Sequence, residues 1–343
     1  MGDQRGVVTI LMALLLPVVV GLAAFVIDMP YLLMTRQELQ NAADVAALSG
    51  ASSLYRNGSL NWEEAAQAAQ RSVGMNSVAG TPLTTATVST GYWTITNGNT
   101  TQSLHLPSSG SSDAPAVRVS ITKANGENGG GLMTVFARYW GIDALSATAS
   151  AVAGRTSPSS IAPGYVFPMV VSQCLFDRYW NASADPPGPA LDPLTRQPYV
   201  FKIPLSFGTC NSGDWSSLDL ATTSGNSTDV IRSLVATLNT HVLSIGDSVW
   251  VKPGTANSLY TTANDCSAAG SKTCEWALVP VVANQYVPNA LNPIQAFACV
   301  HILRAVGSSG KYVEVQMGNR CNPAAASGSG SGYGVLSSPK LFH

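Results

Sequence analysis

Six cysteines are the residues of this chain best suited to a covalent framework or a metal site. All lie in the second half of the chain, and no two have a CxxC spacing. A zinc site needs clustered thiolates or imidazoles, whereas the four histidines are scattered. The pattern therefore favours disulfides in an oxidising compartment over a metal site, with free buried thiols as the alternative. The cysteines are Cys174, Cys210, Cys266, Cys274, Cys299 and Cys321.

The pairing of these cysteines is a separate question. The sequence alone does not choose among the possible pairings. Nearness along the chain favours Cys174–Cys210, Cys266–Cys274 and Cys299–Cys321. The prediction is therefore a set of short-range disulfides confined to the second half of the chain.

The triplet Gly246-Asp247-Ser248 has the residue types of a GDSL-type hydrolase nucleophile block. A serine nucleophile needs a neighbouring base, which that class of enzyme takes from a late Asp-x-x-His motif. The motif is missing here, because Lys340 stands three residues before His343. A tight turn entering a strand explains the triplet better. His301 lies in an apolar run and is interpreted as a hydrogen-bonded core histidine rather than a base.

The other ionisable residues point to no second kind of chemistry. Carboxylates after residue 164 form no spacing that would hold calcium or a paired acid–base site. The run ENGGG at residues 127–131 lacks the Lys and Ser/Thr of a phosphate loop. We therefore predict no enzymatic activity, no cofactor and no metal.

The composition limits the class of partner. Charged residues make up only 11 % of the chain, against roughly 25 % in a typical soluble protein. The net charge of -1 gives no reason to expect nucleic acid as a partner. Six tryptophans are interpreted as core and turn anchors, and the floor of a sugar-binding surface is the alternative. They are Trp93, Trp140, Trp180, Trp215, Trp250 and Trp276.

Residues 7–27 form an uncharged apolar run of 21 residues, which as a helix spans roughly 31 Å, close to the hydrocarbon thickness of a bilayer. The run is longer than the core of a cleaved signal, so we predict a retained transmembrane helix, kinked at Pro17. Arg5 before it and the cysteines after it place the N-terminus in the cytoplasm and the rest outside. Asp28 is interpreted as a helix-boundary residue that caps a turn near Pro30, and a proton or ion role is the alternative.

The residues after this run predict a further helix rather than a linker. Residues 31–55 are rich in strong helix formers. Small residues at three- and four-residue spacing allow helices to approach closely, so this stripe is predicted to pack on other subunits. A second helix is predicted after Asn61, its N-cap. The stripe consists of Leu32, Leu39, Ala42, Ala43, Ala46, Ala47 and Gly50.

The remaining segments predict an α+β fold. Residues 81–122 have the composition of strands, and six strand-like runs follow residue 164, with one clear helix capped near Ser227. We predict a tail and transmembrane helix at 1–29, an α+β region with a helix packed on a small antiparallel sheet at 30–154, a linker at 155–164, and a mostly β, disulfide-containing domain at 165–343.

The N-terminal part resembles a known family. The matching features are Arg5-Gly6, the proline-bearing apolar run, Asp28 and the block LQNAADVAAL at residues 39–48. They resemble the N-terminal segment of TadG-like proteins of the tight-adherence (Flp/Tad) pilus machinery. The resemblance continues in STGYWTITNG, DAPAVRVSIT and MTVFARYWGIDALSATASAVAG, so that it covers roughly residues 5–154. LSIGDSVWVKPGT resembles the family's C-terminal region more loosely.

Three departures from the family pattern limit what the resemblance implies. Pro30 stands where small residues are usual, so a bend is expected there. Leu11, rather than Glu, follows Gly6 by five residues, which argues against processing by a prepilin peptidase. The Asp-x-Ser-x-Ser run of a von Willebrand A domain is missing from the sequence, so that domain and its metal-dependent adhesion are not implied.

The resemblance implies a single-pass protein of the bacterial inner membrane, with its folded part in the periplasm or on a surface filament. It implies a minor-pilin-like assembly role, with other Tad/Flp pilus subunits and inner-membrane assembly proteins as partners. An adhesin at the filament tip, binding a glycan or another surface ligand, is the alternative. A cell-wall hydrolase is a third hypothesis, and the missing catalytic motif argues against it.

Overall fold

The computed structural model describes residues 5–56, 59–95, 103–106, 113–184, 186–204, 206–207, 210–220, 227–254, 256–308, 310–321, 323, 325–328 and 333–342. Within these residues it contains five α-helices, one 3₁₀-helix and several β-sheets, which confirms the predicted α+β class. The α-helices are α1 (Arg5–Ser52), α2 (Trp62–Gly74), α3 (Gln173–Tyr179), α4 (Thr228–Thr237) and α5 (Asn257–Cys266), and the 3₁₀-helix is Ala137–Trp140.

Helix α1 is a single helix of 48 residues, which corresponds to roughly 72 Å at about 1.5 Å per residue. Pro17 and Pro30 lie inside it. Each proline removes one backbone hydrogen bond, but its φ is helical and the neighbouring turns continue the helix. The predicted helix boundary at Asp28 is therefore wrong, because this residue lies inside α1 and caps no new turn near Pro30.

Helices α1 and α2 cover one face of a four-stranded antiparallel sheet. Alternate residues of a strand point to the same face, and Ala147, Ala149, Ala151 and Ala153 share a buried cluster with the helices. α2 begins after Asn61, whose side chain accepts a hydrogen bond from the Glu64 N–H, as predicted. The strand order is Lys340–Phe342, Ala147–Gly154, Asp113–Lys123 and Thr87–Thr94.

The edge strand Lys340–Phe342 comes from the other end of the chain. It pairs antiparallel with Ala147–Gly154, and Lys340 lies opposite Gly154. The Phe342 ring stacks on Trp93 with centroids 6.3 Å apart. Arg155 Nε donates to the Ser337 carbonyl at 3.0 Å. This return of the chain to the N-terminal region was not predicted from the sequence.

Short hairpins complete the N-terminal region. One of them, which we call the 132–145 hairpin, holds the 3₁₀-helix between its two strands. The hairpins pair Tyr55–Arg56 with Ser59–Leu60, Ser77–Val78 with Thr81–Pro82, and Leu132–Met133 with Ala144–Leu145.

The outer region, residues 158–339, is built on an eight-stranded mixed sheet. Met169–Ser172 pairs parallel with Trp276–Val282, and the other neighbours are antiparallel. All six strand-like runs predicted after residue 164 form strands. The strand order is Val200–Ile203, Tyr312–Met317, Ala296–Val306, Trp276–Val282, Met169–Ser172, Gly213–Ser216, Ser248–Lys252 and Ala290–Pro293.

Both faces of this sheet are buried. Val279 and Val281 belong to a cluster that includes residues of α3 and α5, whereas Leu278 and Val282 belong to a second cluster with Ile161. Since neighbouring residues of one strand lie in different clusters, the sheet separates two cores.

The second core lies beside a three-stranded sheet that includes part of the predicted linker. Pro158–Ile161 lies between Leu243–Ser244 and Ala325–Ser327, and Ile161 is fully buried. The segment 155–164 therefore contains a strand, and the division of the chain there stays a prediction. Two further two-stranded pairs are Trp180–Asn181 with Gly188–Pro189 and Ser206–Phe207 with Cys210–Asn211.

The described part of the outer region contains three α-helices, where the sequence indicated one. α4 begins after Ser227, whose side chain accepts a hydrogen bond from the Val230 N–H at 3.2 Å, as predicted. α3 and α5 are 7 and 10 residues long. α3 is too short for a clear apolar period, and α5, which is as long as α4, has no side-chain cap to mark its start.

Three disulfides join the cysteines in the pairs that nearness along the chain favours. Cys174–Cys210, Cys266–Cys274 and Cys299–Cys321 are separated by 36, 8 and 22 residues in the sequence. All three lie in the outer region, so the N-terminal region has no covalent cross-link of this kind.

Candidate functional site

The first part of α1 exposes an almost continuous apolar surface. It is the one described helix that is long and apolar enough to cross a membrane, and its most apolar window is not buried by the rest of the chain. The side chains are large, so a water-exposed position would be costly. The exposed residues are Val8, Ile10, Leu11, Met12, Leu14, Leu15, Leu16, Val18, Val19, Leu22, Phe25, Val26 and Ile27.

The small-residue stripe lies farther along the same helix and is buried inside the chain. It packs against α2 and the four-stranded sheet, in one cluster with Ala65, Ala69 and Val117. The prediction that this stripe contacts other subunits is corrected here, because side chains covered by their own chain offer no surface to a partner. Leu39, Ala43, Ala46 and Ala47 are 0 % exposed and Ala42 is 4 % exposed, and Gly50 is also buried.

Gly50 shows how closely these elements approach each other. A Cβ atom at this position would lie 3.0 Å from the Ala65 carbonyl oxygen and 3.0 Å from Val117 Cγ1. It would also lie 3.1 Å from the Ala69 Cβ. These distances are shorter than ordinary van der Waals contacts. The small residues of the stripe therefore allow α1, α2 and the sheet to pack at a short distance.

The opposite side of α1 remains open along the folded part of the chain that follows residue 31, which we call the head. Leu33, Gln37, Asn41 and Val45 are exposed, and their four-residue spacing places them along one face. We call these four residues the outer stripe. Because it lies on the same helix as the apolar span, it extends the exposed surface of that span alongside the folded head.

Asp28 lies between the apolar span and the buried stripe and holds a distant segment of the chain. Its Oδ1 accepts a hydrogen bond from the Val135 N–H at 2.9 Å. Its Oδ2 accepts from the Phe136 and Ala137 N–H groups at 3.0 and 2.7 Å. Asp28 as a whole residue is only 6 % exposed. We refer to this arrangement as the Asp28 clasp.

The clasp satisfies the beginning of the 3₁₀-helix Ala137–Trp140. The first N–H groups of a helix have no partner inside it, and their dipoles favour a negative group. The residue before this helix, Phe136, makes no side-chain cap. Asp28 supplies the missing acceptor from a position 107–109 residues away in the sequence. Its place next to the apolar run was visible in the sequence, but its partner was not.

The residues considered for hydrolysis lie far apart in the outer region. The His301 Nε2 lies 3.0 Å from a carboxylate oxygen of Glu275, so the predicted hydrogen bond is confirmed for this half-buried ring. Ser248 lies on a strand separated from the His301 strand by three others, which corresponds to roughly 19 Å at about 4.8 Å per strand. They do not form a nucleophile–base pair. His343 lies outside the described residues.

The Gly246-Asp247-Ser248 triplet forms a turn, as predicted. Asp247 Oδ2 accepts a hydrogen bond from the Ser244 N–H at 2.7 Å, and Gly246 has a φ of 94°. This positive φ favours glycine. The turn leads directly into the strand Ser248–Lys252, so the triplet has a structural explanation.

One buried ionisable pair lies near the middle of the large sheet. The Tyr286 hydroxyl donates to Asp214 Oδ2 at 2.8 Å. Burial raises the pKa of the Asp214 carboxyl, and the hydrogen bond from Tyr286 opposes this rise. The described part of the chain places no group of three or more His, Cys, Asp or Glu where it could hold a metal ion.

The tryptophans mostly serve as packing residues. Trp93, Trp180 and Trp215 are buried, as predicted for core anchors. Trp276 is half-buried, with its ring stacked on His301 at 4.3 Å and the Arg320 guanidinium 5.3 Å from its centroid. Trp140 differs, because 58 % of it is exposed. The interpretation of all six as core or turn anchors is therefore wrong for Trp140.

Comparison with known proteins gives matches over the N-terminal region. Residues 6–53 match a family model described as putative Flp pilus-assembly TadE/G-like. Residues 49–153 match a second model, described as putative Tad-like Flp pilus-assembly. No curated protein and no solved structure matches the chain. The resemblance stated from the sequence is confirmed over residues 6–153.

Proposed function

We propose that this chain is a non-enzymatic, minor-pilin-like subunit of a Tad/Flp pilus, because residues 6–153 match two family models of Flp pilus assembly. The observation that carries the proposal is the continuity of α1. One uninterrupted helix joins the exposed apolar span to the buried stripe of the head. A flexible linker would leave span and head free to move separately, whereas a continuous helix transmits orientation from one to the other.

The proposed location is the bacterial inner membrane, with the head on the periplasmic side or on a surface filament. Residues 8–27 contain no charged side chain, and Arg5 precedes them, which favours a cytoplasmic N-terminus. Three disulfides in the outer region agree with an oxidising compartment. The charge pattern and the disulfides support the same location for the head.

The proposed contacts are with other pilus subunits and inner-membrane assembly proteins. The outer stripe is suited to such contacts because it is exposed, partly apolar and on the same helix as the span. If the helix of a neighbouring subunit lies beside the span, its continuation along α1 contacts the outer stripe. The buried stripe supports the contact indirectly by holding α1 firmly against the head.

Site-specific photocrosslinking in cells that assemble the pilus tests this proposal. A photoreactive residue replaces Val45, which is 52 % exposed on the outer stripe, or Met75, which is 84 % exposed at the end of α2. Crosslinks to pilus components are expected from Val45 and not from Met75. Both positions are open to solvent, so the difference reports location rather than accessibility.

The proposal fails if Val45 gives no crosslink to any pilus component while the protein is present in the membrane fraction. Equal crosslinking from both positions would also count against it, because the contact would then not follow α1. Crosslinking from Met75 alone would place the subunit contact on the other side of the head.

A further inference from the structure

The 132–145 hairpin exposes apolar and aromatic side chains at its tip. Met133, Val135, Tyr139, Trp140 and Ile142 are 67, 55, 74, 58 and 46 % exposed. Large exposed apolar groups concentrated in residues 133–142 are unusual on a water-exposed surface and mark a contact. Gly141, with a φ of 78°, ends the 3₁₀-helix and turns the chain back. The tip is therefore a defined structure with an exposed apolar surface.

The hairpin lies at the end of the head that faces the apolar span. Gln40 Nε2 donates to the Ser150 carbonyl at 3.2 Å, which places the main sheet beside the middle of α1. The Asp28 clasp holds residues 135–137 twelve positions nearer the N-terminus of α1. Twelve residues of helix correspond to roughly 18 Å. The hairpin thus extends from the sheet along α1 toward the span.

The Asp28 clasp determines where the hairpin tip lies along α1 relative to the bilayer. Asp28 follows directly after the uncharged run at residues 7–27. When that run fills the hydrocarbon core of a bilayer, Asp28 lies at the outer interface and the hairpin tip lies at the same level. Continuity with the span therefore indicates what covers these side chains.

The residue types at the tip fit the chemistry of a lipid interface. Tyr139 and Trp140 combine an apolar ring with a polar group, and such side chains are enriched at headgroup level. Arg138, exposed between Ala137 and Tyr139, is suited to a lipid phosphate. The charges of residues 132–145 are Arg138 and Asp143, so no net positive charge requires anionic lipid.

We propose that the tip of the 132–145 hairpin inserts into the outer interface of the membrane that α1 spans. This inference rests on the proposed membrane anchorage of the chain. The hairpin forms a second membrane contact beside α1. Two contacts restrict the tilt of α1 and its rotation about its own axis, so the head keeps one side toward the lipid.

Tryptophan fluorescence of the full chain in phosphatidylcholine vesicles tests the proposal. The wild type, Trp140→Phe and Trp250→Phe are compared in ordinary and in brominated phosphatidylcholine, whose bromine atoms quench a tryptophan that they contact. Trp250, half-buried in the outer region, is the matched control. In ordinary vesicles the fluorescence intensity of each variant is lower than that of the wild type, and the difference is the emission of the tryptophan that was replaced.

In brominated vesicles the difference between the wild type and Trp140→Phe is expected to be lost. The difference between the wild type and Trp250→Phe is expected to persist. If the Trp140 difference keeps its full size, the tip is not in lipid and the inference is overturned. A protein partner for the tip would then be the remaining explanation for its apolar surface.

Alkaline carbonate extraction of the same vesicles separates this result from a failure of anchorage. A chain that stays with the vesicles while Trp140 remains unquenched contradicts the hairpin contact alone. A chain that is released by carbonate contradicts the proposed anchorage, and with it the premise of the inference.

Discussion

The N-terminal region, residues 5–154, and the outer region reach buried cores by different means. The core of the N-terminal region consists largely of alanines, with a glycine where α1 meets α2 and the sheet. The outer region buries large aromatic side chains, among them Phe167, Phe176 and Trp215, and its three disulfides are its covalent cross-links. The first region depends on closely approaching backbones, and the second on large side chains and covalent bonds.

This difference predicts opposite sensitivities. A close-packed alanine core leaves no space for additional atoms, so substitutions that add side-chain volume are expected to destabilise it most. A region of mostly short strands depends on the disulfides that hold its segments together. The removal of a disulfide is therefore expected to destabilise it most. The following substitutions test this contrast, beginning with the largest expected effect.

Removal of single disulfides is expected to destabilise the outer region in the order of their loop lengths. Replacing both cysteines of Cys174–Cys210, which are 36 residues apart, should cost about 4 kcal/mol, and the loss should be about 2.5 kcal/mol for the pair 8 residues apart, Cys266–Cys274. Denaturant unfolding of the full chain in detergent measures both losses. Hydrogen exchange in α2 serves as the control and should not change. Equal losses would contradict the loop-length argument.

Gly50→Val is expected to destabilise the N-terminal region by about 3 kcal/mol, because the new side chain would overlap Ala65 and Val117. Gly74→Val is the matched control, since a Cβ at that helical glycine would meet nothing within 4 Å. Hydrogen exchange of α1 and α2 measures both effects. If the two substitutions have the same effect, the close approach at Gly50 is not what limits this region.

Asp28→Ala is expected to cost about 2 kcal/mol locally, because three N–H groups lose a charged acceptor. Exchange of the amides of residues 135–137 should accelerate while the rest of α1 keeps its protection. Asp143→Ala changes an exposed carboxylate in the same hairpin and should leave those amides protected. Unchanged exchange in Asp28→Ala would mean that the clasp does not hold the hairpin.

The smallest expected effects come from helix caps, which should not distinguish the regions. Asn61→Ala in the N-terminal region and Ser227→Ala in the outer region should each cost about 1 kcal/mol, because each removes one side-chain acceptor at a helix start. Asn61→Ser and Ser227→Asn keep an acceptor and should recover most of the loss. A much larger cost in one region would show that its cap also supports tertiary packing.

The features that the sequence predicted are those set by neighbouring residues. The caps at Asn61 and Ser227 depend on residues three positions away, and the six strand runs depend on local composition. The apolar span was evident from an uninterrupted run. Even the disulfide pairs join cysteines that are near in the sequence.

The features that it did not predict depend on distant contacts. Asp28 meets residues more than 100 positions away, and no local pattern identifies three backbone N–H groups as its partners. The strand Lys340–Phe342 is too short to show a period and joins residues near position 153. The stripe from Leu39 to Gly50 was recognised as a packing surface, but only the fold shows that its partner is the same chain.

The pairing of Lys340–Phe342 with Ala147–Gly154 has a mechanical consequence. Lys340 lies opposite Gly154, so the chain leaves and re-enters the small sheet at the same end. Tension applied to the outer region along the strand direction pulls Ala147–Gly154 and Lys340–Phe342 toward the same end of the sheet. The eight residue pairs between Ala147–Gly154 and Asp113–Lys123 then resist the pull, together with the packing of α1 on Ala147–Gly154. Their hydrogen bonds lie across the direction of pull and are strained together rather than one after another.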